Sequence, residues 1–187
     1  MGGVLYCKSL CENSCRSSTV AHDNPFRLNV GFVAHEQVGY SRDFLFDIPE
    51  VHLEDLPLQR VTGHVLVTRT PQGLLVQAHL EADTPAECVR CLEPFDLHLT
   101  TDFTELYAFT RKNMGESGLL YPESGQINLA PLVREYMWLA FPIKPLCSED
   151  CKGLCPVCGA NRNVEDCGHR PESIDPRLEI LKTLLEQ

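Results

Sequence analysis

Several features that would point to particular functions are missing from this sequence of 187 residues. No apolar run approaches the roughly 20 residues that a membrane-spanning helix requires, which argues against an integral membrane protein. The sequence has neither a Gly-rich phosphate-binding loop nor a G-x-S-x-G nucleophile motif, so no site of either kind is expected. The N-terminal residues lack the apolar stretch of a secretory signal. We therefore expect a cytoplasmic protein without structural disulfides, because that compartment is reducing.

Positive charge is also scarce. The chain has 16 Lys and Arg against 26 Asp and Glu, which gives a formal net charge of −10. Proteins that bind nucleic acid without sequence preference use clustered cations that displace counterions from the phosphates. This composition excludes a protein that coats RNA electrostatically. It is compatible with a local RNA contact, or with binding to a basic protein that itself binds RNA.

The first 26 residues show no hydrophobic periodicity, and we predict that they form a disordered or loosely ordered tail. This tail contains Cys7, Cys11 and Cys15. We interpret them as bystander thiols, because no apolar stripe accompanies their regular spacing. Residues 27–187 are predicted to form a single domain, since this length is sufficient for one hydrophobic core.

The first half of that domain has the patterns of β-strands. Short apolar runs at residues 27–35 and 43–49 are interpreted as strands. Residues 61–83 are typical of a hairpin, with a turn from Thr70 to Gly73 that has Pro at its second position.

Alternation of apolar and polar residues is clearest in residues 74–83, and it recurs in residues 95–104. The alternation predicts an antiparallel sheet with one buried face and one mostly exposed face. These two strands flank Cys88 and Cys91, so the first C-x-x-C motif is predicted at the tip of a β-hairpin.

Two helices are predicted in the C-terminal half, at residues 127–142 and 174–187. Asn128 can cap the first helix, in which Trp138 is expected to belong to the core, and Asp175 is a natural N-cap of the second. The fold class is therefore α+β: a mostly antiparallel β-sheet with two C-terminal helices and a cysteine-rich segment, residues 145–170, between them.

The cysteines of this segment and of the hairpin tip have the spacing of metal ligands. Zn²⁺ is usually held by four ligands in a tetrahedron, and two cysteines separated by two residues can both reach one ion. The chain contains two such pairs, Cys88/Cys91 and Cys155/Cys158. Four further candidates accompany them: Cys147, Cys151, Cys167 and His169. A lone C-x-x-C would be a weak signal, whereas this combination predicts one or two structural zinc ions.

Two groupings of these ligands are compatible with the sequence. We favour a first site that joins the hairpin tip to the chain after the first helix, built from Cys88, Cys91, Cys147 and Cys151. A second, local site would then use Cys155, Cys158, Cys167 and His169. The rival grouping combines the two C-x-x-C pairs in one site and leaves the other four candidates to a weaker site or to none.

Two enzymatic interpretations of the same residues are disfavoured. Cys151, Cys155 and Cys158 have the C-x3-C-x2-C spacing of radical S-adenosylmethionine enzymes, but that motif normally lies early in a large barrel. The His52 and Glu54 pair, taken with the first C-x-x-C, is similar to the motif of zinc deaminases. Those enzymes place their ligands at helix starts, whereas this motif is predicted between two strands.

The motifs "CVRCLEPF", "INLAPLVREYMWLAFPIKPLC", "DCKGLCPVCGANRN", "DCGH" and "DPRLEILKTLL" follow one another in an order that resembles the YceD family of large ribosomal RNA subunit accumulation proteins. The resemblance runs from about Arg27 to the C-terminus. It implies a cytoplasmic, non-enzymatic factor in ribosome biogenesis that supports accumulation and processing of 23S ribosomal RNA and assembly of the large subunit. Family members that lack the later motif tend to keep ligand-type residues at the positions of Cys88, Cys91, Cys147 and Cys151. Others have lost most cysteines, which implies a stabilising role for the metal.

The acidity of the chain shapes the expected partners. We expect the main contact with a ribosomal protein or a large-subunit precursor, and any local rRNA contact at four cations in or directly beside the cysteine-rich segment: Lys144, Lys152, Arg162 and Arg170. No membrane and no small-molecule substrate are expected. The alternatives are a zinc-dependent enzyme acting on nucleic acid or nucleotides, and a zinc-stabilised adaptor unrelated to ribosomes.

Overall fold

The structure is a computed structural model that describes residues 24–115 and 117–169. Its elements in chain order are β1 (Arg27–Asn29), α1 (Gly31–His35), β2 (Ser41–Leu53), β3 (Leu56–Arg69), β4 (Gly73–Glu87), β5 (Pro94–Ala108), a 3-10 turn (Arg111–Asn113), β6 (Gln126–Asn128) and α2 (Ala130–Ala140). The strands β2 to β5 form one antiparallel sheet in chain order, and β1 pairs with β6 in a second. The predicted α+β class with a mostly antiparallel sheet is confirmed.

The hairpin of β3 and β4 turns where the sequence predicted. Thr70 accepts and donates across the turn: its backbone N–H donates to the Gly73 carbonyl at 2.9 Å, and its hydroxyl accepts from the Gly73 N–H at 3.1 Å. The apolar positions of β4 then alternate into the core, with Leu74, Val76 and Leu80 fully buried. Since the side-chain period of a strand is two, the intervening residues face away from that core.

The core lies between the inner face of this sheet and the two helices. Val33 of α1 and Val133 and Met137 of α2 are fully buried in the same cluster as the inward residues of β3 and β4. Phe26 belongs to this core and stacks on Phe46, with ring centroids 5.4 Å apart. The packed body thus includes Phe26, one residue before the boundary expected at Arg27.

The run of residues 27–35, predicted as a strand, is divided in the structure. Only its first three residues pair with β6, and α1 follows directly. The Asn29 side-chain oxygen accepts the Gly31 N–H at 3.2 Å, which favours a turn at this point. A run of mixed apolar residues has no period that separates a short strand from a short helix, so the prediction was wrong for α1.

Helix α2 begins and ends close to the predicted limits. The Asn128 side-chain oxygen accepts the Ala130 N–H at 3.1 Å, and the helix ends two residues before Pro142. Tyr136 stacks on Phe103 of β5 at 4.6 Å, which holds the helix against the sheet. Trp138, expected in the core, is instead 41% exposed, because the buried stripe of α2 uses its neighbour Met137.

Two further predictions concern parts of the chain outside the described residues. They are the tail with Cys7, Cys11 and Cys15, and the second C-terminal helix at residues 174–187. Within the part that the structure describes, no helix combines the length and the apolarity that crossing a membrane requires.

Candidate metal centres

A tight turn between β4 and β5 presents the first C-x-x-C motif. The Leu92 N–H donates to the Cys88 carbonyl at 2.9 Å, and the Cys88 N–H donates to the Glu93 carbonyl at 3.0 Å. Leu92 has a left-handed φ of 60°, which reverses the chain after Cys91. The turn therefore holds Cys88 and Cys91 together, and both are buried.

The chain that follows α2 wraps around this tip. The Val89 N–H donates to the Pro145 carbonyl and the Leu154 N–H donates to the Arg90 carbonyl, each at 3.0 Å. The Arg90 guanidinium donates to the Cys151 carbonyl at 2.9 Å. Bonds from both sides of the hairpin tip thus fix the segment that carries Cys147 and Cys151.

These contacts assemble a first cluster, which consists of Cys88, Cys91, Cys147 and Cys151 and whose sulfurs all lie within 4.8 Å of one another. The Cys88 and Cys151 sulfurs are 3.8 Å apart, and those of Cys91 and Cys147 are 3.6 Å apart. A tetrahedron with metal–sulfur bonds of about 2.3 Å has edges of about 3.8 Å, whereas a disulfide needs about 2.05 Å. The first cluster therefore has the dimensions and the chemistry to hold a tetrahedral metal ion.

The thiols of the first cluster differ in their affinity for protons. Burial opposes ionisation of Cys88, but the backbone N–H groups of Cys147, Cys91 and Arg90 outweigh it and lower the pKa of Cys88 to about 6. The side-chain amide of Asn163 lowers the pKa of Cys151. Hydrogen bonding to the Cys151 and Cys91 thiols, with burial, raises the pKa of Cys147 to about 12. Four sulfurs so close together cannot all be thiolates unless a cation lies among them.

A second cluster lies further along the same segment and consists of Cys155, Cys158, Cys167 and His169, whose ligand atoms also lie within 4.8 Å of one another. The Gly159 N–H donates to the Cys155 carbonyl at 2.9 Å, and Gly159 has a left-handed φ of 76° that closes the knuckle. Backbone N–H groups of Cys158 and Val157 lower the pKa of Cys155 to about 6. This cluster could also hold a metal ion.

The short corner between Cys167 and His169 is closed by Gly168. This residue has a left-handed φ of 70°, and its N–H donates to the Asp166 carboxylate at 3.0 Å. A glycine adopts this backbone without steric cost, so both flanking side chains can reach one site. Cys158 and His169 are exposed, whereas three residues of the first cluster are buried.

The eight candidate ligands named from the sequence all lie in these two clusters, four in each. The structure places the two C-x-x-C pairs in different clusters, unlike the rival grouping. It also separates Cys151 from Cys155 and Cys158, so the C-x3-C-x2-C spacing does not correspond to one three-cysteine site. His52 and Glu54 belong to neither cluster: they line a cavity of about 850 Å³ beside α2, together with Arg134.

Sequence reasoning missed two residues that support the first cluster. Arg90 donates to the Cys151 backbone, and the Asn163 side chain donates to the Cys151 sulfur at 3.2 Å. In the sequence, an Arg at a predicted hairpin tip and an Asn in a turn-rich segment are indistinguishable from ordinary solvent-exposed residues. The only signal was their position within the two cysteine motifs.

Three of the four cations proposed for an RNA contact are exposed around the clusters: Lys144, Lys152 and Arg162. Arg170 lies outside the described residues. Residues 144–169 also contain four acids, Glu149, Asp150, Glu165 and Asp166. The segment is thus mixed in charge, and it is not a basic patch.

Comparison with known proteins identifies several proteins of similar sequence. An uncharacterised protein of Mycobacterium tuberculosis is 35% identical over 125 residues, which cover 64% of this chain and 59% of that protein. An uncharacterised Mycobacterium leprae protein is 32% identical over 114 residues, covering 59% of this chain and 52% of its own length. The chain therefore spans less than two thirds of the curated relatives it matches.

An Arabidopsis thaliana protein named large ribosomal RNA subunit accumulation protein YCED homolog 1, chloroplastic, is 35% identical over 66 residues, which are 35% of this chain and 21% of that protein. No solved structure matches the chain. The profile of the family described as large ribosomal RNA subunit accumulation protein YceD matches residues 76–185. This match covers more than half of the sequence and includes both clusters, and the chain therefore belongs to the YceD family.

Proposed function

We propose that the protein is a non-enzymatic cytoplasmic factor in ribosome biogenesis, which supports accumulation and processing of 23S ribosomal RNA and assembly of the large subunit. The family match over residues 76–185 carries this proposal, because that family is described by accumulation of large-subunit ribosomal RNA. The name of the Arabidopsis relative supports the same role.

Both clusters bind Zn²⁺ in this proposal, and the metal is structural. Sulfur and imidazole are the ligands that zinc prefers, and the sulfur spacing of the first cluster matches a zinc tetrahedron. Each cluster offers four protein ligands. Catalytic zinc sites typically use three protein ligands and keep one position for water or substrate. The closed ligand sets therefore favour a structural role over a zinc-dependent enzyme acting on nucleic acid or nucleotides.

Charge guides the choice of partner. The chain carries a formal charge of −10, and zinc leaves a negative charge on a site with three or four thiolates. The main contact is accordingly with a basic ribosomal protein, since opposite charges steer association. Any contact with rRNA is local and uses Lys144, Lys152 and Arg162.

Sedimentation of a tagged copy through sucrose gradients at low and moderate salt tests this function. We expect the protein to migrate with large-subunit precursors at low salt and to dissociate partly at moderate salt, because salt screens charged contacts. A protein that stays at the top of both gradients would contradict stable binding to the particle. It would instead favour the zinc-stabilised adaptor unrelated to ribosomes.

A variant with Lys144, Lys152 and Arg162 changed to Ala separates the contact with rRNA from the contact with a ribosomal protein in the same gradients. We expect it to lose crosslinks to rRNA while it still migrates with the precursors. The matched control removes the same charge from three exposed cations elsewhere: Arg27, Arg42 and Lys112. Equal rRNA crosslinking by the two variants would contradict an RNA contact at the cations of the cysteine-rich segment.

A further inference from the structure

The side chain of Asn163 contacts a cysteine of the first cluster. Its carboxamide oxygen accepts the Lys152 N–H at 2.7 Å, and its nitrogen donates to the Cys151 sulfur at 3.2 Å. The Lys152 N–H can only donate, so it fixes the oxygen on its own side and leaves the NH₂ group facing the sulfur. Asn163 is thus a hydrogen-bond donor to a sulfur of the first cluster.

In the chain, however, Asn163 belongs to the loop of the second cluster. Two ligands of that cluster, Cys155 and Cys158, precede it, and Cys167 and His169 follow it. A metal ion bound by these four residues would close the loop on both sides of Asn163. The position of the Asn163 side chain would then depend on the geometry of the second cluster.

Backbone contacts connect the loop of the second cluster to the residues that follow Cys151 of the first cluster. Leu154 and Asn161 form an antiparallel bridge, and the Arg162 N–H donates to the Gly153 carbonyl at 3.0 Å. The Asn161 side chain accepts the Asn163 N–H, also at 3.0 Å. The loop returns through these bonds alongside the residues that follow Cys151. In this closed arrangement of the loop, Asn163 reaches the Cys151 sulfur.

We infer that Asn163 is a positioning residue of the first cluster, and that metal binding at the second cluster strengthens metal binding at the first through this side chain. The inference rests on the proposed metal binding at both clusters. A thiolate bound to a metal keeps lone pairs, and a hydrogen bond to one of them stabilises the remaining negative charge. Since coupling between two binding sites is reciprocal, metal in the first cluster also strengthens binding at the second.

Titration of the metal-free, reduced full-length chain with Co²⁺, followed by competition with Zn²⁺, tests the role of Asn163. Co²⁺ absorbs differently in a four-cysteine site and in a site with three cysteines and one histidine, so each cluster is observed separately. We expect Asn163→Ala to weaken metal binding at the first cluster by roughly 10–100-fold, the usual effect of losing a hydrogen-bond partner of a ligand. The sulfur-to-cobalt charge-transfer band of that cluster should move to lower energy.

Two matched variants separate this role from general loosening of the loop. Asn163→Asp retains the shape and the acceptor for the Lys152 N–H but has no donor for the sulfur, so it should weaken the first cluster at least as much as Ala does. Val164→Ala truncates a neighbouring side chain that is 83% exposed and keeps the backbone contacts, so it should leave the first cluster unchanged. Recovery of wild-type affinity by Asn163→Asp would overturn the inference.

The coupling itself is tested by Cys158→Ser, which alters an exposed ligand of the second cluster. We expect this variant to weaken the first cluster severalfold, although Cys158 is not one of its ligands. Combination with Asn163→Ala should add little to the effect of Asn163→Ala alone, because both changes remove the same contact. Independent, multiplying effects would contradict coupling through Asn163.

Failure of the inference and failure of the proposed metal sites give different results. A wild-type chain that binds fewer than two ions would overturn the metal sites themselves. Two bound ions with an unaltered first cluster in Asn163→Ala would overturn only the role of Asn163.

Discussion

At the scale of single residues, two glycines of the cysteine-rich segment have similar backbones and different surroundings. Gly153 and Gly159 have left-handed φ values of 70° and 76°. A Cβ on Gly153 would lie 2.9 Å from the Arg90 carbonyl oxygen, whereas nothing lies within 4 Å of a Cβ on Gly159. Gly153 thus permits the close approach of the segment to the hairpin tip.

Substitution of each glycine by Ala should separate the cost of the left-handed backbone from the cost of the close contact with Arg90. Gly159→Ala is expected to cost about 1–2 kcal/mol of unfolding free energy, the cost of a left-handed backbone for a residue with a Cβ. Gly153→Ala should cost roughly 3 kcal/mol, because the contact with a backbone oxygen adds to that strain. Urea unfolding of both variants at saturating Zn²⁺ measures the difference. Equal losses would mean that the segment moves away from Arg90 without cost.

At the scale of elements, the pairing of β4 with β5 places His79 opposite Asp102 on the outer face of the sheet. The His79 Nδ1 lies 2.6 Å from a carboxylate oxygen of Asp102. This hydrogen bond and the negative charge of Asp102, assisted by Glu81, raise the pKa of His79 above its usual 6.5. Protonated His79 is therefore stabilised in the folded protein.

The raised pKa predicts a pH-dependent contribution of Asp102 to stability. The contribution is complete below the unfolded pKa of His79, about 6.5, and is lost as the pH rises through the higher folded pKa. Asp102→Asn should therefore lower the unfolding free energy at pH 6 and have little effect at pH 9. Urea unfolding at the two pH values measures this.

Another exposed aspartate of β5 supplies the control for this pH dependence. Asp96→Asn removes an exposed carboxylate of β5 that lies opposite Pro85 and has no histidine across the strand pair. Its effect on stability should not change between pH 6 and pH 9. A loss in Asp102→Asn that is the same at both values would exclude the His79 pair as its cause.

At the scale of the whole molecule, the hydrophobic core and the first cluster are separate. The main core joins the sheet, α1 and α2. Cys88, Cys91 and Cys151 form a second, small buried group, against which Phe95 and Leu146 pack among the residues that the structure describes. Because so few apolar contacts contribute little to ordering the cysteine-rich segment, we expect its order to depend on bonds to a metal ion.

Metal removal should therefore unfold part of the molecule and spare the rest. In ¹H–¹⁵N NMR spectra, a chelator is expected to collapse the dispersion of resonances from residues 145–169 and to leave those of β2, β3 and α2 in place. Addition of Zn²⁺ should restore the original spectrum. Cooperative loss of the sheet resonances on chelation would show that the core depends on the metal.

Local sequence patterns were sufficient to predict much of this fold. The alternation in β4 and the turn after Thr70 are short-range signals, and each occurs in the structure where the sequence placed it. The N-cap of α2 is Leu129, one residue after the predicted Asn128, although the Asn128 side-chain oxygen accepts the Ala130 N–H at 3.1 Å. The strand prediction failed for the short run that contains α1. The conformation of this run depends on the pairing of β1 with β6, which is about 100 residues away in sequence.

The sequence by itself determined the kinds and the number of the candidate metal ligands, because C-x-x-C spacing is a local property of the chain. Tertiary structure decided which pairs meet: the end of α2 brings Cys147 and Cys151 to the hairpin tip, across a separation that no local pattern encodes. The contact of Asn163 with the Cys151 sulfur arises in the same way. This hydrogen bond forms because the loop that carries Asn163 folds back toward Cys151. Its geometry therefore depends on the tertiary structure and not on the spacing of the two residues in the sequence.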